Sequence, residues 1–208
     1  MRALILMFNG LNSALLRFSG VAFGSRIVPS EEVDAAFGMP VGKLRYRAGI
    51  LSLAYAAVGE SEVTLGATAA SDTLRNAQVS PEKLDWIIAS SETHRAIPSL
   101  AAQLHAALGG RETCGALDVG GACLGLVHAL VVAKSFVESG QAGTVLVVTA
   151  DVHSRTLTPG RVAGEFWRFV WRRRRGVSGA ATAQRERTRM FCTAGFLFWL
   201  RFTATGGD

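Results

Sequence analysis

The residue with the clearest chemical potential in the sequence is Cys123, in the glycine-rich segment GGACLG at residues 120–125. A short strand pattern precedes this segment, and a long apolar helix pattern follows it. At such a strand-to-helix turn, unpaired backbone amides and the positive end of the helix dipole would lower the pKa of a thiol. The flanking glycines would let a substrate approach the backbone closely. The spacing therefore predicts a nucleophilic cysteine, and the alternative is a small, buried apolar residue.

The other two cysteines, Cys114 and Cys192, have no comparable setting, and we interpret both as structural. Three cysteines do not pair off, which favours a reducing compartment and a cytoplasmic protein. Because no two cysteines have CxxC spacing, neither a zinc site nor a thioredoxin-like site is predicted. The glycines do not spell GxGxxG, which argues against a dinucleotide site. We therefore predict no metal and no permanently bound cofactor.

The elements that must position Cys123 are the strand before it and the helix and strand after it. Residues 116–119 are typical of a short strand, residues 122–139 of a helix apolar on nearly every side, and residues 144–150 of a strand buried on both faces. This order predicts a parallel strand pair with a right-handed crossover. A helix that is apolar all round must be covered by other elements, which predicts a layered α/β domain.

Upstream patterns predict a strand at 85–90 and helices at 60–78 and 98–108, with an edge strand at 18–23. A further helix begins near Pro29, with Ser30 as the expected N-cap. Residues 1–17 leave three interpretations open: a first strand, an extension of uncertain order, or a start codon called too early. No clear signal-peptide cleavage site follows the first apolar run. No apolar stretch reaches the roughly 20 residues that span a bilayer.

The positive charge of the chain is confined to its last fifth. The whole chain carries a formal +6, but residues 1–166 have a net charge of −1 and residues 167–208 a net charge of +7. A basic chain would usually suggest a nucleic-acid or membrane-surface partner, but the nearly neutral first part does not support one. So abrupt a change predicts a boundary between residues 166 and 167.

Several segments together resemble the N-terminal half of β-ketoacyl-acyl-carrier-protein synthase III and its relatives in the thiolase superfamily. They are Asp118–Leu126, the apolar helix after it and Val145–Asp151, with Ile97–Ser99 and Arg47–Ile50 in matching places upstream. The resemblance covers about residues 18–166. It implies the first half of a thiolase-like layered αβαβα fold, with residues 18–166 as the half-domain.

The resemblance also implies a reaction in fatty acid biosynthesis or a related pathway. Cys123 would take an acyl group from an acyl-coenzyme A, and a malonyl thioester on acyl carrier protein would then decarboxylate and attack the acyl-enzyme. Arg47 matches an arginine that contacts the coenzyme A phosphates. Lys43 stands near the place of an adenine-stacking tryptophan, and residues 52–53 replace a basic pair, which weakens the expected affinity for coenzyme A.

The family's second half supplies a histidine and an asparagine that assist decarboxylation, and neither can be assigned to a residue of this chain. The chemistry expected of the chain as it stands is self-acylation at Cys123. His94 and His153 follow strands on the side where the cysteine should emerge, but we interpret their proximity as chance. The sheet face that packs on the second half in the family would be exposed in this chain. We therefore expect poor solubility. The resemblance also implies a homodimer, because members of the family are homodimers. The alternative to an acyltransferase is a non-catalytic interaction protein of the same fold.

Residues 167–208 do not continue the resemblance. Suppose that Trp is encoded by TGG, Arg by CGN, Phe by TTY, Val by GTN and Gly by GGN. If the codons of residues 167–177 are then read one nucleotide later, they permit the sequence Gly-Ala-Leu-Phe-Gly-Asp-Gly-Ala-Ala-Ala. The resemblance implies a similar glycine-rich stretch at this place, so we predict an out-of-frame tail. The alternatives are nucleic-acid binding through interleaved Arg and Trp, or a membrane-surface segment.

Overall fold

The computed structural model describes residues 1–8 and 14–156. Seven strands are present in this part of the chain: β1 (Arg2–Phe8), β2 (Ala14–Val21), β3 (Arg26–Pro29), β4 (Ser52–Tyr55), β5 (Trp86–Ser90), β6 (Gly115–Asp118) and β7 (Thr144–Thr149). The same part has four α-helices: α1 (Ser30–Ala36), α2 (Glu62–Ala77), α3 (Leu100–Leu108) and α4 (Gly125–Glu138). The tail that the sequence predicts to be out of frame lies outside the described residues.

Five strands form one mixed sheet in the order β2-β1-β7-β5-β6. Strands β5, β6 and β7 run parallel, whereas β1 is antiparallel to both of its neighbours, β2 and β7. The short strands β3 and β4 form a separate antiparallel pair. A small core of Val28, Val33, Leu44 and Ile50 joins this pair to α1 and to the π-helical turn Leu44–Ala48.

Helices cover both faces of the main sheet because alternate residues of each strand point to opposite sides. Ile87 and Leu146 pack in the core under α2 and α3, whereas Ile88 and Val147 pack in the core under α4. All four side chains are fully buried. The predicted layered α/β arrangement is confirmed, and so is the edge position of the strand that includes residues 18–21.

Residues 2–8 form an interior strand of the sheet, as the interpretation of this segment as a first strand expects. Strand β1 pairs with β2 on one side and with β7 on the other, and Ala3 and Ile5 are fully buried. The Thr73 hydroxyl of α2 donates a hydrogen bond to the Ala3 carbonyl oxygen at 3.1 Å. Ala3 and Ile5 pack in the core under α2 and α3, whereas Leu4 and Leu6 pack in the core under α4, so β1 contributes side chains to the cores on both faces of the sheet.

Three local predictions were wrong. Strands β6 and β7 are parallel but not paired, because β5 lies between them. Ser30 is the first residue of α1 and not its N-cap, and its hydroxyl donates to Glu31 at 3.2 Å. The helix predicted from residue 122 begins as a 3-10 turn, Ala122–Leu124, and becomes α-helical at Gly125.

Apolar side chains are exposed both on the edge strand β2 of the sheet, where Leu16 is 51% exposed, and on the outer side of α4. The inner residues Ala129, Ala133 and Val137 of α4 are fully buried against the sheet. On its outer side, Val127 is 39% exposed and Val131 is 57% exposed. Within residues 1–8 and 14–156, no helix has the length and apolar character to cross a bilayer.

Candidate active site

The loops that follow β5, β6 and β7 carry the chemically active side chains. Because these strands are parallel, their carboxyl ends lie at the same edge of the sheet, where ligands bind in open α/β sheets. Glu92 follows β5, Cys123 follows β6 and Asp151 follows β7. This edge is therefore the candidate active site.

Cys123 sits in a tight turn whose backbone is unusual at two successive residues. Gly121 has a φ of 151° and Ala122 a φ of 48°. A Cβ atom on Gly121 would lie 2.3 Å from Nδ1 of His128, so only glycine fits at this position. The same imidazole nitrogen lies 3.1 Å from the Gly120 carbonyl oxygen. The His128 side chain, in the first turn of α4, thus packs against the turn that carries Cys123.

The first residue of α4 approaches the end of β5 closely. A Cβ atom on Gly125 would lie 1.9 Å from Oγ of Ser90 and 3.1 Å from its Cβ. Ser90 is itself buried. The absence of a side chain at Gly125 therefore allows the cysteine turn to rest against the carboxyl end of the central parallel strand.

The Asp118 carboxylate, at the end of β6, fixes the start of α3. Its Oδ2 accepts a hydrogen bond from the Leu100 amide at 2.9 Å, and its Oδ1 accepts one from the Ala101 amide at 2.7 Å. A carboxylate at this place satisfies two unpaired amides and opposes the helix dipole. Asp118, which the sequence analysis placed in the cysteine segment without a role, is thus a positioning residue.

Asp151 holds the loop that carries Glu92. Its Oδ1 accepts hydrogen bonds from the Glu92 amide at 2.6 Å and from the Ser91 hydroxyl at 3.2 Å. In the same loop, the Thr93 hydroxyl donates to Oε1 of Glu62 at 2.5 Å and accepts from the Val152 amide at 2.9 Å. Three hydrogen bonds therefore join the loops after β5 and β7, and a fourth joins the loop after β5 to α2.

The predicted lowering of the Cys123 pKa was wrong. Partial burial of the thiol raises its pKa above the ordinary value, and the Glu92 carboxylate raises it further by its charge and by a hydrogen bond. The charge of Asp151 acts in the same direction, whereas a hydrogen bond to the local backbone acts against them. Burial and the two carboxylates, which come from other loops, together outweigh the backbone hydrogen bond that favours the thiolate.

This part of the chain matches known proteins. The family model described as 3-Oxoacyl-[acyl-carrier-protein (ACP)] synthase III matches residues 117–165, which include the cysteine turn, α4 and β7. The chain is 37% identical over 145 residues to a beta-ketoacyl-[acyl-carrier-protein] synthase III of Cereibacter sphaeroides, covering 69% of this chain and 45% of the relative. A synthase III of Rhodopirellula baltica is 38% identical over 135 residues, covering 64% and 38%.

Among solved structures, 3-oxoacyl-[acyl-carrier-protein] synthase III from Aquifex aeolicus VF5 is similar with a TM-score of 0.61 and 30% identity, covering 65% of this chain and 44% of that chain. The chain is synthase III-like. It corresponds to the N-terminal half of that family and spans less than half the length of these relatives. The thiolase-like fold that the sequence predicts is confirmed.

In this synthase III-like half, Arg47 lies in a different unit from Cys123. It belongs to the turn Leu44–Ala48 next to the β3–β4 pair, and its side chain is exposed. It borders a shallow surface depression, which the following residues also line: Pro40, Val41, Gly42, Lys43 and Tyr46. The structure thus places Arg47 with Lys43 on one surface and leaves Cys123 at the carboxyl edge of the main sheet.

The histidines of the synthase III-like half have partners of their own. Nε2 of His94 lies 3.1 Å from Nε2 of Gln103, and Nε2 of His105 lies 2.9 Å from the Arg111 carbonyl oxygen. His153 belongs to the short turn His153–Arg155 after β7. Glu92, whose negative charge contributes to the raised pKa of the Cys123 thiol, is a residue that the sequence analysis missed. Its position two residues after a predicted strand was the available signal.

Proposed function

We propose that this chain carries the acyl-accepting half of a condensing acyltransferase, with Cys123 as the nucleophile. The thiol would attack the carbonyl carbon of an acyl-coenzyme A, form a thioester and release coenzyme A. In the complete reaction, a malonyl thioester on acyl carrier protein would decarboxylate and its carbanion would attack the acyl group on Cys123. The residues described here can serve the first of these two steps.

The observation that carries this proposal is the position of Cys123. The thiol is partly exposed, whereas Cys114 is buried. It lies between β6 and α4, within the segment that the synthase III family model matches. The left-handed backbone at Gly121 and Ala122 turns the chain sharply from the strand into the helix. Cysteine suits this step because one thioester is exchanged for another.

Arg47 and Lys43 are our candidates for contact with the coenzyme A phosphates. Both border the same depression, whose remaining wall includes the exposed ring of Tyr46. Two cationic side chains beside an exposed aromatic ring suit a ligand that has both phosphate and a purine base. We propose this surface as the acyl-coenzyme A docking site, with no permanently bound cofactor.

Self-acylation tests the proposal directly. After incubation of the full chain with acetyl-coenzyme A, intact mass spectrometry should show one added acetyl group, located at Cys123 by peptide mapping. Cys123→Ala should remove the label entirely, whereas Cys114→Ala, the matched control, should leave it in place. Label that survives in Cys123→Ala would rule out Cys123 as the acceptor. Equal reactivity of Cys123 and Cys114 towards iodoacetamide would favour a non-catalytic interaction protein.

We also propose that the reading frame changes near residues 166–167, so that the basic tail is an out-of-frame translation. The match to the family model ends at residue 165, next to the point where the net charge changes sign. Sequencing the gene across codon 167 is expected to give codons that read Gly-Ala-Leu-Phe-Gly-Asp-Gly-Ala one nucleotide later. Codons incompatible with that shifted sequence would refute the proposal.

A further inference from the structure

The surface that carries Arg47 and Lys43 belongs to a small unit with its own core. This docking unit consists of β3, β4, α1 and the turn Leu44–Ala48, and its core is formed by Val28, Val33, Leu44 and Ile50. None of these four side chains belongs to the cores on the two faces of the main sheet. Residues 22–25 and residues 56–61 connect the unit to β2 and to α2. The position of the docking unit relative to Cys123 therefore depends on how these two connections are held.

The Glu60 carboxylate ties the two connections to each other. Its Oε2 accepts a hydrogen bond from the Ser25 amide at 3.0 Å and another from the Ala57 amide at 2.7 Å. Ser25 lies directly before β3, and Ala57 lies two residues after β4. The chain therefore enters and leaves the docking unit at the same carboxylate.

The loop after β7 holds the second connection from outside the docking unit. The Arg155 guanidinium donates hydrogen bonds to the carbonyl oxygens of Ala57, at 3.2 Å, and of Glu60. The neighbouring Ser154 hydroxyl oxygen accepts a hydrogen bond from the Ala56 amide at 3.3 Å. Because a guanidinium has five donors in a fixed fork, it can hold two carbonyl groups in a defined geometry.

The same loop also reaches the candidate active site. Asp151 and Val152 are hydrogen bonded to the loop after β5, at the carboxyl edge of the sheet where Cys123 lies. Residues 151–155 thus contact the active-site loops at one end and the docking unit at the other. A displacement of this segment from the docking unit would change the distance between the two surfaces that acyl-coenzyme A must contact together.

We propose that Arg155 is a positioning residue for the acylation step, an inference that rests on the function proposed above. Arg155 does not contact coenzyme A. It fixes the docking unit relative to Cys123, so that a donor held by its phosphates at Arg47 and Lys43 presents its thioester to the thiol. The role applies only to donors that contact both surfaces, because a short thioester without the nucleotide does not use the docking unit.

Arg155→Gln tests this role with two acetyl donors. Acetyl transfer from acetyl-coenzyme A should fall roughly ten- to a hundredfold, since misplacement by about 1 Å can cost a hundredfold in rate. Transfer from acetyl-N-acetylcysteamine, a thioester without phosphate or purine, should be unchanged. The Kd for coenzyme A, measured by calorimetry, should also be unchanged, because the docking unit itself is intact. Arg75→Gln, the matched control, removes a cationic side chain that pairs with Asp72 on α2 and should alter none of the three.

Ser154→Ala weakens the same junction at a second hydrogen bond and should produce the same pattern with a smaller loss, even if Arg155→Gln fails to fold. Weaker binding of coenzyme A to Arg155→Gln would show that Arg155 contacts the ligand, and an equal loss with both donors would show that it only supports the fold. Either result overturns the proposal. If the unaltered chain takes no acetyl group from either donor, the proposed function fails together with this inference. If the unaltered chain and both variants react equally fast with acetyl-coenzyme A, only this inference fails.

Discussion

Substitution of valine for Gly125 is expected to lower the free energy of unfolding by about 3 kcal/mol and to abolish acylation of Cys123. The added Cβ would lie 1.9 Å from Oγ and 3.1 Å from Cβ of Ser90. Since Ser90 is buried at the end of the central strand, the start of α4 must move away from the sheet. Displacement of a reacting group by about 1 Å can cost a hundredfold in rate. Chemical denaturation and acetyl transfer from acetyl-coenzyme A would measure the two effects.

The matched control for this substitution is Gly120→Ala, in the same glycine-rich segment and five residues before the start of α4. A Cβ atom on Gly120 would meet no atom within 4 Å. Gly120→Ala should therefore leave both the stability and the acetylation rate close to those of the unaltered chain. Full stability in Gly125→Val would show that the start of α4 and the end of β5 do not meet as described.

Substitution of alanine for Ile5 is expected to lower the free energy of unfolding by about 3 to 4 kcal/mol, in the range for large-to-small changes in a protein core. Ile5 is fully buried in β1, opposite Leu146 of β7, in the core beneath α2 and α3. Its loss would leave a cavity between two helices and the centre of the sheet. Thermal or denaturant unfolding followed by circular dichroism would measure the change.

Leu16→Ala in the edge strand β2 provides the comparison. Leu16 is 51% exposed and pairs with Leu6 of β1, so its truncation should cost less than about 1 kcal/mol. Equal effects of the two substitutions would contradict the interior position of β1. They would instead support the extension of uncertain order that the sequence alone allowed for residues 1–17.

The sequence could predict those elements whose signals are local. Val145–Val148 form a continuous β-branched and apolar run, and the structure buries all of them in a strand with helices on both sides. The αL glycine at position 109 ends α3 where the sequence expected a stop. The cysteine segment is distinctive enough to indicate both the turn and the family.

Features that depend on distant parts of the chain could not be predicted. The rules for parallel strands give the handedness of the connection from β6 to β7, but they do not reveal that β5 is inserted between the two. The pKa of Cys123 depends on Glu92 and Asp151, which precede and follow it by about thirty residues in the sequence. Local reasoning therefore predicted the wrong direction for the Cys123 pKa shift.

The position of β1 has a consequence for the order in which the domain can be assembled. Arg2 is paired with Thr149, so the first strand to be synthesised is joined to the last strand described. During synthesis, β1 can pair early with β2, but its other edge stays open until nearly the whole half-domain has been made. Contacts between such distant segments fold slowly and leave strand edges exposed to other chains. We therefore expect the nascent chain to be most prone to aggregation before β7 is complete.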